Sequence, residues 1–231
     1  MASRARLLIA GSVAALAVSG CTSTVAGMAV RDPNAPPPKT TLEESDLDGV
    51  LLSTTTLDGI VGTSGLKVTV DTDQMQDQSN AVVDANCLGA AFGAQEPVYA
   101  NSGWTAVRDQ VVREPGEHNK HWLEQAVVLY PSADDAKQFL GKSQSDWAKC
   151  QGTLITFSDS DEVQVWNVTD VTVDGSTISQ TSTPGADNSG GCHHAMAAAA
   201  NVIVETWACG DSVTDEAVTI ANDIVAKIKQ L

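Results

Sequence analysis

Five cysteines and four histidines carry most of the reactive chemistry in this chain: Cys21, Cys87, Cys150, Cys192 and Cys209, with His118, His121, His193 and His194. A thiol can take a lipid, pair with another thiol, bind a metal or attack a substrate, and its neighbours decide which. Cys21 stands apart. It follows Val18-Ser19-Gly20, a mostly apolar run over 7–18, and a start carrying Arg4 and Arg6. Twelve residues are too few to span a bilayer as a helix but suit the apolar region of a signal peptide. Small residues directly before a cysteine match the bacterial lipobox, where the thiol receives diacylglycerol and cleavage leaves it as the new N-terminus. Residues 1–20 therefore read as a lipoprotein signal peptide and Cys21 as the lipidation site.

The other four cysteines form an even set, and in an oxidising exported compartment such a set reads as disulfides, with three pairings open. A zinc site is not expected, because structural zinc favours close C-x₂₋₄-C pairs and none occurs. Among candidate ligand-binding residues, Trp104 and Arg108 lie four apart on an expected strand and so share a face, offering a stacking surface beside an anion-binding fork. The competing reading makes Trp104 core and lets Arg108 balance a local carboxylate. His193 and His194 point to opposite faces if their segment is a strand, so they do not chelate one ion. His193 is kept as the third ligand-site candidate. His118 and His121 fall in a polar turn and read as solvated, as does the acidic stretch Asp159, Asp161 and Glu162, which lacks the ligand spacing of an EF-hand.

No G-x-S-x-G elbow, S-x-x-K, H-E-x-x-H or phosphate-cradling glycine loop is present, so neither an enzyme nor a cofactor is expected. A hydrolase would need a Ser or Asp assembled beside one of the four histidines. The formal charge of −16 excludes nucleic acid as a natural partner and disfavours a polybasic contact with anionic lipid. Without residues 1–20, 11 basic residues face 29 acidic ones and the charge reaches −18.

These side chains must be positioned by a body of about 190 residues, expected over 43–231 after a Pro-rich linker at 21–42. Thr41 and Glu44 have capping-box spacing and open an expected helix to about 52, with a second at 57–61 closed by Gly62. A helix within 79–92 carries Cys87. Strands are expected at 104–113 and 122–130. Pro131 and Ser132 then stop the second strand and start a helix with Ala136, Phe139, Leu140, Trp147 and Cys150 on one face. Alternation places further strands at 153–157, 163–173 and 176–183, with Asp174-Gly175 as a hairpin turn. A strand-like run over 193–208 and an amphipathic helix over 213–230 complete the chain. The class is α+β: a single domain with a twisted antiparallel sheet and helices mostly on one face.

Cys87-Leu-Gly, Ser102-Gly-Trp-Thr-Ala-Val-Arg108, Trp147-Ala-Lys-Cys150, Asn201-Val-Ile-Val204 and Cys209-Gly210, in this order, resemble one family. It is the extracytoplasmic sensor domain at the C-terminus of mycobacterial PknH-type serine/threonine kinases, which also occurs in free-standing lipoproteins. The resemblance implies two disulfides, Cys87–Cys150 and Cys192–Cys209, and a cleft for an unidentified ligand. No kinase domain or membrane-spanning helix is expected within these residues. The expected function is thus a lipid-anchored sensor or ligand-binding domain on the outer side of the cell membrane, taking a small molecule, lipid or cell-wall fragment. The alternative is a surface module that binds a protein partner.

Overall fold

The computed structural model describes residues 41–116, 119–152, 154–159, 162–169, 171–185 and 190–231. The signal peptide, Cys21, most of the Pro-rich linker, His118 and Asp161 lie outside the described residues. Among the described residues, nine strands make one antiparallel sheet: β1 (Lys67–Thr72), β2 (Ala106–Arg113), β3 (Trp122–Leu129), β4 (Leu154–Asp159), β5 (Glu162–Val168), β6 (Thr172–Asp174), β7 (Thr177–Pro184), β8 (Gly191–Ala199) and β9 (Val202–Gly210). Their order across the sheet is β1-β2-β3-β9-β8-β7-β5-β4, with β6 paired to β7.

Helices cover both faces, whereas the sequence suggested mostly one. Helices α1 (Leu47–Val50), α2 (Thr54–Val61) and the C-terminal α6 (Glu216–Ile228) enclose one core. Ser53 caps α2 through the amide of Thr56, and Gly62 ends it at a left-handed φ of 68°. Alternate residues of β8 on this face are Ala195, Ala197 and Ala199, whose small side chains let α6 seat Ile220, Ile224 and Ile228 close to the sheet. On the opposite face lie α3 (Leu88–Ala91), α4 (Glu96–Tyr99) and the long α5 (Ala133–Cys150). Ser132 caps α5 by accepting from the amide of Asp135. Its three-and-four stripe then buries Phe139, Trp147 and Cys150.

Several expected elements change shape. Glu43 and Asp46, not Thr41 and Glu44, form the reciprocal capping box, and it opens a 3₁₀ turn ahead of α1. The run over 163–173 divides into β5 and β6, and the run over 193–208 folds back on itself as β8 and β9. That hairpin turns at Ala200, at a φ of 48° usually left to glycine, so four consecutive alanines hid it. β1 is added at the sheet edge, where its mostly exposed residues give almost no burial pattern.

Both disulfides are present. Cys87–Cys150 joins the 3₁₀ turn before α3 to the end of α5, and Cys192–Cys209 links facing residues of β8 and β9. Asn201 in the β8–β9 turn holds the start of the domain. Its Oδ1 accepts from the Leu42 amide (2.6 Å), and its Nδ2 donates to the carbonyls of Leu42 (3.1 Å) and Tyr130 (2.8 Å).

Candidate functional site

Strand register collects the site. Residues directly opposite one another in an antiparallel sheet project to the same face. One row across the strands runs Val111, Glu124, Trp207, His194 and Gln180; the next runs Asp109, Ala126, Glu205, Met196 and Ile178. A third places Trp122, Cys209, Cys192 and Ser182 side by side. These rows face α3, α4, α5 and the segment before α3. Between that cover and the sheet lies a cavity of about 600 Å³, within the usual range for small-molecule sites.

The sheet contributes Asp109, Glu124, Trp122, Trp166 and Trp207 to the cavity wall, and the cover contributes Gln76, Gln78, Phe92 and Gly93. None of the described lining residues is basic. Asp109 is 1% exposed and Glu124 6% exposed. The Glu124 carboxyl donates a hydrogen bond to Asp109, so the pair shares a proton. Burial, reinforced by the charge of Glu205, pushes Asp109 up from 3.8 to about 7. Burial followed by the charges of Asp109 and Glu205 pushes Glu124 well above the carboxylate range. Gly93 closes over this pair. A Cβ there would stand 2.8 Å from Glu124 Oε1, so only glycine fits without displacing the carboxyl.

Behind the cavity wall, Glu205 is fully engaged. Its Oε2 accepts from Tyr99 Oη (2.7 Å) and the Ala94 amide (3.1 Å), and its Oε1 meets His194 Nε2 at 3.0 Å. Because an ionised carboxylate only accepts, this contact assigns the proton to Nε2 of a neutral imidazole. Burial lowers the pKa of His194, against the opposing pull of Glu205. Its ring lies between Trp147 and Trp207, each centroid 4.0 Å away. The cover is further fastened by Gln180 Nε2 donating to the Ala90 carbonyl (2.6 Å) and by Gln95 joining Gln78 and Gly93. Two polar atoms of the lining are left without a protein partner: the acceptor Asp109 Oδ1 and the donor Trp207 Nε1. Buried polar atoms are seldom left so, and here one acceptor and one donor, both shielded from solvent, belong to residues that line the cavity.

The three ligand-site candidates from the sequence are not brought together. Trp104 precedes β2, so strand spacing does not apply to it, and it packs with the α5-side core. Arg108 projects to the other face, where Nε binds Asp48 Oδ1 at 2.8 Å and Nη1 lies 4.0 Å from Asp73. His193 is 5% exposed and faces the side covered by α6, with Asp215 and Glu216 nearby. Burial and the neighbouring His194 lower its pKa. None of the three lines the cavity, so the structure corrects that grouping. His121 is not a free solvated side chain either; its Nδ1 lies 2.6 Å from Glu114 Oε1. Burial alone would raise Glu114, but the His121 side-chain and backbone hydrogen bonds outweigh it and hold Glu114 down to about 2.

Asp109, Glu124, Glu205 and Trp207 were not singled out from sequence. A signal was present for Glu205, which follows the apolar run Val202-Ile-Val204, whereas Asp109 lies between Arg108 and Gln110 and Glu124 is followed by Gln125, so neither stood out. Inward-facing charge on such a strand is costly unless paired or used. Among the described residues, no group of three or more His, Cys, Asp or Glu side chains could hold a metal ion. No described helix is long and apolar enough to cross a membrane.

A disulfide-braced antiparallel sheet with helices on both faces and an acidic, tryptophan-lined cavity defines an α+β domain. The chain belongs to the family of PknH-like extracellular domains, whose family model matches residues 42–227. It is 32% identical over 223 residues to the serine/threonine-protein kinase PknH of two Mycobacterium tuberculosis strains, covering 96% of this chain and 36% of each kinase. The PknH kinase of Mycobacterium bovis is also 32% identical, with 37% of its length covered. The chain thus spans little more than a third of these relatives. The crystal structure of the extracellular domain of PknH from Mycobacterium tuberculosis superposes with a TM-score of 0.79 at 31% identity, covering 83% of this chain and 98% of that one.

Proposed function

We propose that this protein is a lipid-anchored, non-enzymatic sensor domain of the cell envelope that binds a small molecule, lipid or cell-wall fragment in the cavity between the sheet and the α3–α4 cover. The observation that carries this reading is the pair of unpartnered polar atoms, Asp109 Oδ1 and Trp207 Nε1, in a cavity of about 600 Å³ with an aromatic wall. Binding rather than catalysis is favoured by the placement of the histidines. Among the described histidines, His194 faces this side of the sheet, and it is spent on Glu205 and stacked behind Trp207. The anchor rests on Cys21 and its preceding small residues. Multiple acyl chains bound there would hold the domain firmly, at roughly 0.8 kcal/mol per buried methylene.

The test is native mass spectrometry of the full chain purified from its own envelope, beside Cys21→Ala. The wild type is expected to carry acyl mass and a second, non-covalent mass. Cys21→Ala is expected to lose the acyl mass and leave the membrane fraction. Retained membrane association of the variant refutes the anchor. Protein with acyl mass alone, and no thermal shift on adding envelope extract, refutes the ligand-binding reading.

A further inference from the structure

Resting on the ligand-binding reading above, the geometry points to a ligand class: we propose that the cavity binds an organic cation, with an ammonium group against the Asp109–Glu124 carboxyl pair and an apolar body against the indoles of Trp122, Trp166 and Trp207.

Three observations converge on it. The carboxyl pair is built into the wall rather than solvated, and Asp109 Oδ1 has no protein partner although the residue is 1% exposed. No Lys, Arg or His among the described lining residues balances the pair. The remaining groups felt by the pair are acidic or neutral: Asp71 from β1, Glu205 from β9 and Tyr99 from α4, with His194 of β8 already committed to Glu205. An anionic ligand would meet uncompensated carboxylate at close range. A cation supplies the missing charge and donates to Asp109 Oδ1. Indole faces attract cations through the ring quadrupole, most strongly when water is excluded. Trp207 Nε1 is left for an acceptor, a hydroxyl or carbonyl, on the same ligand.

The proposal has a proton balance that separates it from neutral ligands. Below about pH 7 Asp109 carries a proton of its own, which an arriving ammonium must displace, so cation binding there releases the Asp109 proton to solvent while Glu124 keeps its own. Because Asp109 titrates at about 7, affinity for a cation is expected to rise about tenfold between pH 6 and pH 8. A neutral saccharide would show no such rise.

The probes are choline and tyramine as cations, cellobiose as a neutral polyol and inorganic phosphate as an anion. They are titrated into the full-length lipoprotein, followed by tryptophan fluorescence and by calorimetry in buffers of different ionisation enthalpy. Saturable binding of a cation with net proton release and the tenfold rise is expected. Asp109→Asn keeps an acceptor toward Glu124 and removes the charge, so it should weaken cation binding at least tenfold and flatten the pH profile. Its circular dichroism and melting report independently that it folds. Cation binding without pH dependence, or cellobiose or phosphate binding where cations do not, overturns the cation class and leaves the cavity reading standing. If no probe binds and the envelope-purified protein carries no non-covalent mass, both readings fall together.

Discussion

Replacing Asp109 by asparagine should stabilise the domain, and more so as the pH rises. Asp109 ordinarily titrates at 3.8 and is raised to about 7 by burial and by Glu205. A carboxyl with a raised folded pKa is protonated in the fold where the unfolded chain has already released its proton. The stability this represents is fully present below the unfolded pKa of 3.8 and is lost as the pH climbs through about 7. Each pH unit in that window costs about 1.4 kcal/mol. Integration gives a penalty of about 2 kcal/mol at pH 5 and about 4 kcal/mol at pH 8. Asparagine carries no ionisable group and can still accept from Glu124. The stabilisation of Asp109→Asn over wild type should therefore grow by roughly 2–3 kcal/mol between pH 5 and pH 8. Urea denaturation of both proteins at the two pH values measures it. A difference that does not change with pH, or that shrinks as pH rises, refutes the claim that Asp109 is held protonated by its surroundings.

Asn201→Ala removes three buried hydrogen bonds that tie Leu42 and Tyr130 to the β8–β9 turn, and should cost about 3 kcal/mol. Hydrogen exchange at the Leu42 amide should accelerate, and an unchanged rate would show that the N-terminal segment is held by something else. Gly93→Ala drives a Cβ toward Glu124 Oε1 and should displace that carboxyl, with a stability loss of about 1–3 kcal/mol. Carboxyl titration followed by NMR should then show Asp109 and Glu124 no longer coupled; unchanged curves would mean that the cover yields instead. Serine substitution of Cys87 and Cys150 opens a separation of 63 residues and should cost about 4 kcal/mol, against about 3 kcal/mol for Cys192 and Cys209, which are 17 apart. Denaturation of the two double variants gives the order, and the reverse order would place the stabilisation in the folded contacts rather than in the closed loops.

Local chemistry was readable where it is local. The stripe of α5 from Ala136 to Cys150 and its Ser132 cap lie within a few turns of chain, so periodicity and spacing specify them. The alternation of His193 and His194 between faces follows from strand geometry alone, and the structure shows it: one lies on the α6 side, the other against Glu205. Trp104 was misassigned because its spacing to Arg108 has meaning only inside a strand, and β2 starts two residues later. The hairpin at Ala200 was missed because its unusual φ is imposed by the pairing of β8 with β9 and not by a turn-forming residue.

The sequence by itself determined the composition of the domain: an acidic, cysteine-braced α+β body, the family resemblance and the signal-like start with Cys21. The tertiary structure alone decided the cavity. Asp109, Glu124, Glu205 and Trp207 lie on three strands, and β9 returns beside β3 only after α5 and five further strands have been laid down. Their meeting depends on strand order and register, both set by the packing of two cores against the sheet. The carboxyl pair acquires its shared proton only there, because the burial and the neighbouring charge that hold the proton in place are properties of the assembled fold.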